Sequence, residues 1–198
     1  MNQFNQQLQG MNIYLIGMMG CGKTTVGQAL AKALNYRFMD TDQLITQVTG
    51  QSIPDIFAQS GEAEFRAIES QVLSQLCAYQ HLVVATGGGI VLQPMNWSYL
   101  RHGFIVWLDV PVSQLYNRLK GDQTRPLLQD SDPLATLQNL FNQRKHLYES
   151  ADLRISVDPA DHSQQVMQKI LTAIPSKLKS PPQPLREKLT ESPDINQN

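Results

Sequence analysis

Gly17-Met18-Met19-Gly20-Cys21-Gly22-Lys23-Thr24 satisfies the pattern G-x-x-x-x-G-K-[ST] at every fixed position. Its flanks constrain the fold further. Asn12-Ile13-Tyr14-Leu15-Ile16 before it is apolar and β-prone, as a buried strand is. After it, Val26, Leu30, Ala33 and Leu34 recur at helical spacing. Gly17, Gly20 and Gly22 can take positive φ and let backbone N–H groups close on an anion. The positive end of the following helix reinforces that field. Lys23 supplies a point charge for the β- and γ-oxygens of a nucleotide, and the Thr24 hydroxyl is the expected Mg2+ ligand. Cys21 occupies a free position of the pattern and reads as a small space-filler.

At 198 residues the chain suits one domain with a sizeable core. A formal net charge of −1 gives no basic field for bulk nucleic-acid binding. Two cysteines, Cys21 and Cys77, make no disulfide framework and fit a reducing compartment. No apolar run approaches the roughly 18 residues of a membrane span. Residues 1–10 are polar and glutamine-rich, without the basic region of a secretory or transit peptide, and are expected to be a disordered leader. From Pro175 the composition turns to Pro, Lys, Ser, Gln and Glu, so 175–198 is expected to be a disordered polar tail. The folded domain is expected over 11–174, in a cytoplasmic protein without nucleic-acid or membrane partners.

Short apolar strands alternate with amphipathic helices between those limits. Tyr36 to Asp40 reads as a second strand, and Asp42 suits the N-cap of a helix from Gln43 to Thr49. Ser52-Ile53-Pro54-Asp55 marks another helix start. Beyond Gly61, a longer helix from Glu62 to about Tyr79 carries a stripe of Phe65, Ile68, Val72, Leu73 and Leu76. His81 to Thr86 reads as a strand running into Gly87-Gly88-Gly89. A helix over 94–101, a strand over 104–108 and a helix over 112–120 follow. Residues 121–133 are rich in turn-formers and read as a mobile lid. A helix over 134–150, with Leu137, Leu140, Phe141 and Leu147 inward, a strand over 153–157 and a helix over 163–173 complete the domain. The alternation implies a parallel α/β sheet covered on both faces. Ligands bind such sheets beyond the carboxyl ends of the strands. The glycine loop, Asp40-Thr41-Asp42 and Gly87-Gly88-Gly89 all fall there.

Four clusters bear on what receives the phosphate. Asp40 and Asp42 can divide the work between the Mg2+ shell and an acceptor hydroxyl. Arg66 and Glu69, one helical turn apart, are either a surface ion pair or an arginine braced for an anionic substrate. Three successive glycines at 87–89 suit close approach of a ligand to backbone. Arg125 in the lid and Arg144 on the following helix are either solvated or aimed at anions, Arg125 at the γ-phosphate.

These clusters resemble the shikimate kinases. The family's pattern appears in order: G-M-M-G-C-G-K-T-T at 17–25, F-M-D-T-D at 38–42, F-R-x-x-E at 65–69, T-G-G-G at 86–89, R-P-L-L at 125–128 and R-x-x-L-Y at 144–148. The resemblance spans about Asn12 to Ala173. It implies a three-layer P-loop kinase fold with a five-stranded parallel sheet, helices on both faces and a mobile lid, in a monomer. It also implies ATP-dependent phosphorylation of the 3-hydroxyl of shikimate, a step towards chorismate and the aromatic amino acids. By position, Gly20, Cys21, Gly22, Lys23, Thr24 and Thr25 would hold the ATP phosphates, with Arg125 and Arg118 on the nucleotide. Thr24 would bind Mg2+, and Asp40 would assist through water. Asp42 would orient the hydroxyl and act as base; Lys23 and Arg125 would stabilise the transferring group. Arg66, Gly87, Gly88, Gly89 and Arg144 would hold shikimate, with Glu69 bracing Arg66. Related small P-loop kinases, for a sugar acid or a nucleoside monophosphate, are the competing class. Asp158-Pro159-Ala160-Asp161, after the last strand, lacks the basic residue expected beside adenine. Asp109, at the end of Val106-Trp107-Leu108-Asp109, is read as a turn residue. The whole assignment requires the guanidinium groups of Arg66 and Arg144 to share one opening with Lys23.

Overall fold

The computed structural model describes residues 8–120 and 132–178. Five strands form one parallel sheet in the order β2-β3-β1-β4-β5. The strands are β1 (Ile13–Ile16), β2 (Arg37–Asp40), β3 (Leu82–Ala85), β4 (Phe104–Asp109) and β5 (Leu153–Ser156). Every residue of β1 and β3 is buried, so both faces of the sheet centre are covered. β5 alternates buried and exposed residues, as an edge strand facing water on one side does.

The helices are α1 (Lys23–Leu34), α2 (Thr41–Thr49), α3 (Ile53–Leu76), α4 (Pro94–Leu100), α5 (Val112–Leu119), α6 (Pro133–Tyr148) and α7 (Ser163–Lys177). α1 and α7 pack on each other, α1 also against β2 and β3 and α7 against β5. α2, α3 and α4 pack in series, and α6 packs on α5 and on the short turn Ile90–Leu92. The core runs through all five strands; Trp107, Tyr14 and Tyr148 are its largest fully buried side chains.

Several expectations need correction. The N-cap of α2 is Asp40, whose side chain accepts from the N–H groups of Asp42 and Gln43. Asp42 is therefore inside the first turn, and its carboxylate is not used as the cap. Leu8, placed in the expected leader, is fully buried, and the Gly10 carbonyl accepts from the His81 N–H at 2.9 Å. The expected leader is thus anchored from Leu8 onward, and residues 1–7 lie outside the described residues. α7 continues through Pro175 to Lys177, four residues past the expected end at Ala173, because proline removes one N–H without stopping a final turn whose apolar Ile174 is buried. The rest of the expected tail, 179–198, lies outside the described residues. So does the expected lid, except Asp132 and Pro133 at its end, where Asp132 caps α6 by accepting from Ala135 N–H at 3.0 Å. Asp109 is the last residue of β4 rather than a turn residue. It is ion-paired with Arg154 at 2.6 Å, and that guanidinium lies over the Trp107 ring.

Candidate active site

The phosphate loop joins β1 to α1. Gly17, Gly20 and Gly22 all have positive φ, at 140°, 74° and 97°. Gly22 caps α1 with no side-chain hydrogen bond, and no acidic residue lies in the first turn, so the helix presents its N-terminal field uncovered. Lys23 is 9% exposed. Its Nζ donates to the carbonyls of Gly17 and Met18 at 2.8 and 2.9 Å, which parks the ammonium over the loop. The Thr24 hydroxyl donates to Asp40 Oδ2 at 2.8 Å. The other Asp40 oxygen accepts from Asp42 N–H at 3.0 Å, so one carboxylate ties the loop helix to α2. Arg118 reaches the loop from α5, its Nη1 donating to the Gly20 carbonyl at 3.3 Å.

The glycine run after β3 forms the other wall. Its backbone is held by the core: the Thr86 hydroxyl donates to Leu15 O at 2.9 Å, and Gly87 N–H donates to the Thr41 hydroxyl at 2.9 Å. A Cβ on Gly87 would stand 2.5 Å from Glu69 Oε1 and 2.9 Å from Asp42 Oδ1; one on Gly89 would overlap the Arg66 guanidinium. The glycines are there because charged side chains from α2 and α3 press against the backbone. Gly88 rests on the loop, its Cβ direction facing Met19 N and Gly17 O at 3.4 and 3.6 Å. Its carbonyl accepts from Tyr148 OH at 2.7 Å and from Arg144 Nη1 at 3.3 Å. Arg144 and Tyr148 are one turn apart on α6 and both buried, in a stripe that otherwise reads as apolar. Burial pushes the Tyr148 phenol far above its ordinary range, despite Arg144, so it stays a neutral donor.

Arg66, on α3, donates through Nη1 to Glu69 Oε2 at 2.7 Å and through Nε and Nη2 to Glu62 Oε1 at 3.3 and 3.1 Å. Burial pulls its pKa down, but the Glu69 and Glu62 carboxylates outweigh that and hold it up. Glu69 is fully buried, and its second oxygen, Oε1, has no hydrogen-bond partner. Burial raises its carboxyl above the ordinary range; Arg66 pulls it back, the Asp42 charge raises it further, and Arg144 lowers it. One result is a pH-dependent strain on the fold. Below about 4.3, the ordinary glutamate value, both folded and unfolded chains carry the proton and Glu69 contributes nothing. Above it the folded chain holds more protons than the unfolded one, so stability falls with rising pH until Glu69 ionises in place. In urea unfolding between about pH 4 and 7, the parent should lose stability relative to Glu69→Gln. A pH-independent difference would contradict this.

The expected residues therefore meet. Arg144 touches Gly88, Gly88 rests on Gly17, and the Gly17 carbonyl holds Lys23. Glu69 and Asp42 lie against Gly87, and Arg66 against Gly89, of the same run. Arg125 lies outside the described residues. Two contributors, Thr41 and Tyr148, lie inside the sequence motifs without an expected role, although the spacing of Arg144-x-x-Leu147-Tyr148 already puts the phenol one turn from the guanidinium. Asp40, expected at the metal, is in addition the cap of α2. Tyr148→Phe should cost about 1 kcal/mol, the net worth of its hydrogen bond, or roughly 2–4 °C in thermal midpoint. An unchanged midpoint would show that Arg144 alone satisfies Gly88. The Asp158–Asp161 turn lacks a basic residue of its own, but α7 supplies one: Lys169 pairs with Asp158 at 3.2 Å and Asp161 at 2.6 Å. A separate cavity of about 490 Å³, lined by Arg37, Met39, Val48 and Tyr79 among others, shares none of these groups.

Comparison with known proteins points one way. The family model described as shikimate kinase matches residues 19–175. A shikimate kinase of Nostoc sp. is 61% identical over 172 residues, covering 87% of this chain and 95% of that one. One from Synechococcus elongatus is 55% identical over 173 residues, covering 87% and 91%. Among solved structures, shikimate kinase from Acinetobacter baumannii in complex with shikimate is similar with a TM-score of 0.84 and 40% identity, covering 89% of this chain and 99% of that one.

Proposed function

This chain belongs to the shikimate kinase family, and from that premise we propose how its residues divide the transfer of the γ-phosphoryl group of ATP to the 3-hydroxyl of shikimate. The reaction yields shikimate 3-phosphate and ADP, within chorismate and aromatic amino acid biosynthesis. The observation that carries the assignment is the Gly88 strip, which bears Arg144 on its carbonyl and the Lys23 loop against its backbone. In this reading an acid pocket and a triphosphate pocket meet at Gly88.

In the proposed division, the amides of Gly20, Cys21, Gly22, Lys23, Thr24 and Thr25 cradle the phosphates at the start of α1. Lys23 exchanges its two carbonyl partners for phosphate oxygens and sets its positive charge against them. Arg66 and Arg144 hold the carboxylate of shikimate; Glu69 keeps Arg66 in place from the buried side. Gly87, Gly88 and Gly89 let Glu69, Asp42, Arg66 and the phosphate loop close against the backbone beside which the ring would bind, which side chains would prevent. Asp42, freed by Asp40 from capping α2, accepts the hydrogen bond of the 3-hydroxyl, aims that oxygen at the γ-phosphorus and takes its proton as the new P–O bond forms and the bond to ADP breaks. Arg125 is proposed to steady the γ-phosphate, and Arg118, already against the loop, to lie beside the nucleotide.

The Thr24 hydroxyl and Asp40 carboxylate, 2.8 Å apart at the loop, are hard oxygen donors of the kind Mg2+ accepts, and they would hold it, Asp40 through water. Bound there, Mg2+ would supply charge neutralisation to the phosphate oxygens. Among the described residues no helix is long and apolar enough to cross a membrane, and both cysteines are free thiols. On that cysteine usage we place the reaction in the cytoplasm. To test the residue assignments, ATP and shikimate should be titrated separately into single variants. Loop variants should lose ATP first, and Arg66 or Arg144 variants shikimate first. Equal losses of both ligands in every variant would overturn the division.

A further inference from the structure

We propose that Glu62 is a resident competitor for Arg66: a carboxylate that occupies the guanidinium between turnovers and opposes the carboxylate of shikimate. This rests on the reading that Arg66 takes that carboxylate. Arg66 stands between two carboxylates of very different surroundings. The Glu69 side chain is 0% exposed and holds Nη1 at 2.7 Å. The Glu62 side chain is 63% exposed and takes both Nε and Nη2 through the single oxygen Oε1. One edge of the guanidinium is thus filled by a group of the same chemistry as the ligand. Two carboxylates already exceed the charge of one guanidinium, so a third must displace one of them or bind against its repulsion. Glu69 has no water to move into. Glu62 has, and it loses little by swinging out, because an exposed ion pair is weak.

The backbone supports this division. Gly61, at φ 79° and ψ 174°, interrupts α3 immediately before Glu62. Glu62 therefore opens the second helical segment, where the helix N-terminus favours a carboxylate even without Arg66. Positioning of Arg66 does not need Glu62, because Glu69 fixes the guanidinium from the buried side. The facing charged groups are Glu62 and Glu69 from α3, Asp42 from α2 and Arg144 from α6, and only Glu62 is largely solvated.

The test uses the full chain with Glu62→Gln and Glu62→Ala, titrated with shikimate and with its methyl ester, alongside steady-state kinetics. Both variants should bind shikimate about 2- to 5-fold more tightly, the range expected for release of a solvated ion pair. KM for shikimate should fall by more than kcat changes, and the gain should shrink as salt is raised. The ester, which brings no charge to Arg66, should show no such gain. Weaker or unchanged binding of shikimate by both variants, or equal changes for acid and ester, would overturn the proposal. Arg66→Ala separates the two layers. If it weakens shikimate binding while the Glu62 variants fail to tighten it, only the competitor role falls. If it leaves shikimate binding intact, the carboxylate reading of Arg66 falls and the competitor role with it.

Discussion

Asp42→Asn is expected to lower kcat about 10²- to 10⁴-fold, the usual range for removing a positioned general base. The reason is chemical rather than structural. The amide keeps the size of the side chain, and the Asp42 N–H still donates to Asp40, so α2 keeps its cap and the loop its tie to Thr24. The amide cannot take the proton of the 3-hydroxyl, and its NH2 group offers a donor where the hydroxyl needs an acceptor. Nucleotide affinity should change by less than about threefold, or about 0.65 kcal/mol, because the proposed phosphate contacts are the loop amides and Lys23 rather than Asp42. Single-turnover transfer and a separate ATP titration would give both numbers. Turnover equal to the parent would remove Asp42 from the chemistry.

Arg144→Ala is expected to raise the dissociation constant for shikimate about 10²- to 10⁴-fold, since each hydrogen bond to a charged group contributes about 1.5–3 kcal/mol and a fork makes two. Arg144 is buried at 6% exposure and donates to Gly88 O, so its truncation also leaves a cavity beside Tyr148. Arg144→Lys distinguishes the two effects: it fills most of the space and keeps the charge, but it cannot form the planar fork. Intermediate affinity in Arg144→Lys, with ATP affinity near that of the parent in both variants, is the expected outcome. An equal loss of ATP and shikimate affinity would instead mean that Arg144 supports the glycine run rather than the acid.

Much of this site is legible in the chain because its parts are local. The phosphate loop is eight consecutive residues, and the positive φ of Gly17, Gly20 and Gly22 follows from residue type and spacing. The Arg66–Glu69 pair follows from three-residue helical spacing, and the order of strands and helices from hydrophobic period. Where local reading went astray, two residues offered the same chemistry. Asp40 and Asp42 are both good caps, and the strand's end at Asp40 decides which one is at the boundary. Tyr148 is a further case: a polar residue in a buried stripe has no helical signature beyond its spacing.

By itself the sequence determined the sheet-and-helix alternation, the phosphate loop and the residue types available to an acid pocket, because each depends on neighbours a few positions apart. Only the tertiary structure decided which charges meet. The β2-β3-β1 pairing sets Asp40 level with Ala85 and carries the glycine run against the loop. The packing of α6 on the turn after that run delivers Arg144 to Gly88, 56 positions away in the chain. Burial then fixes how strongly those charges act, since the Glu69 carboxyl is raised chiefly by the water it loses, with Arg66 pulling it back and Asp42 adding to the rise.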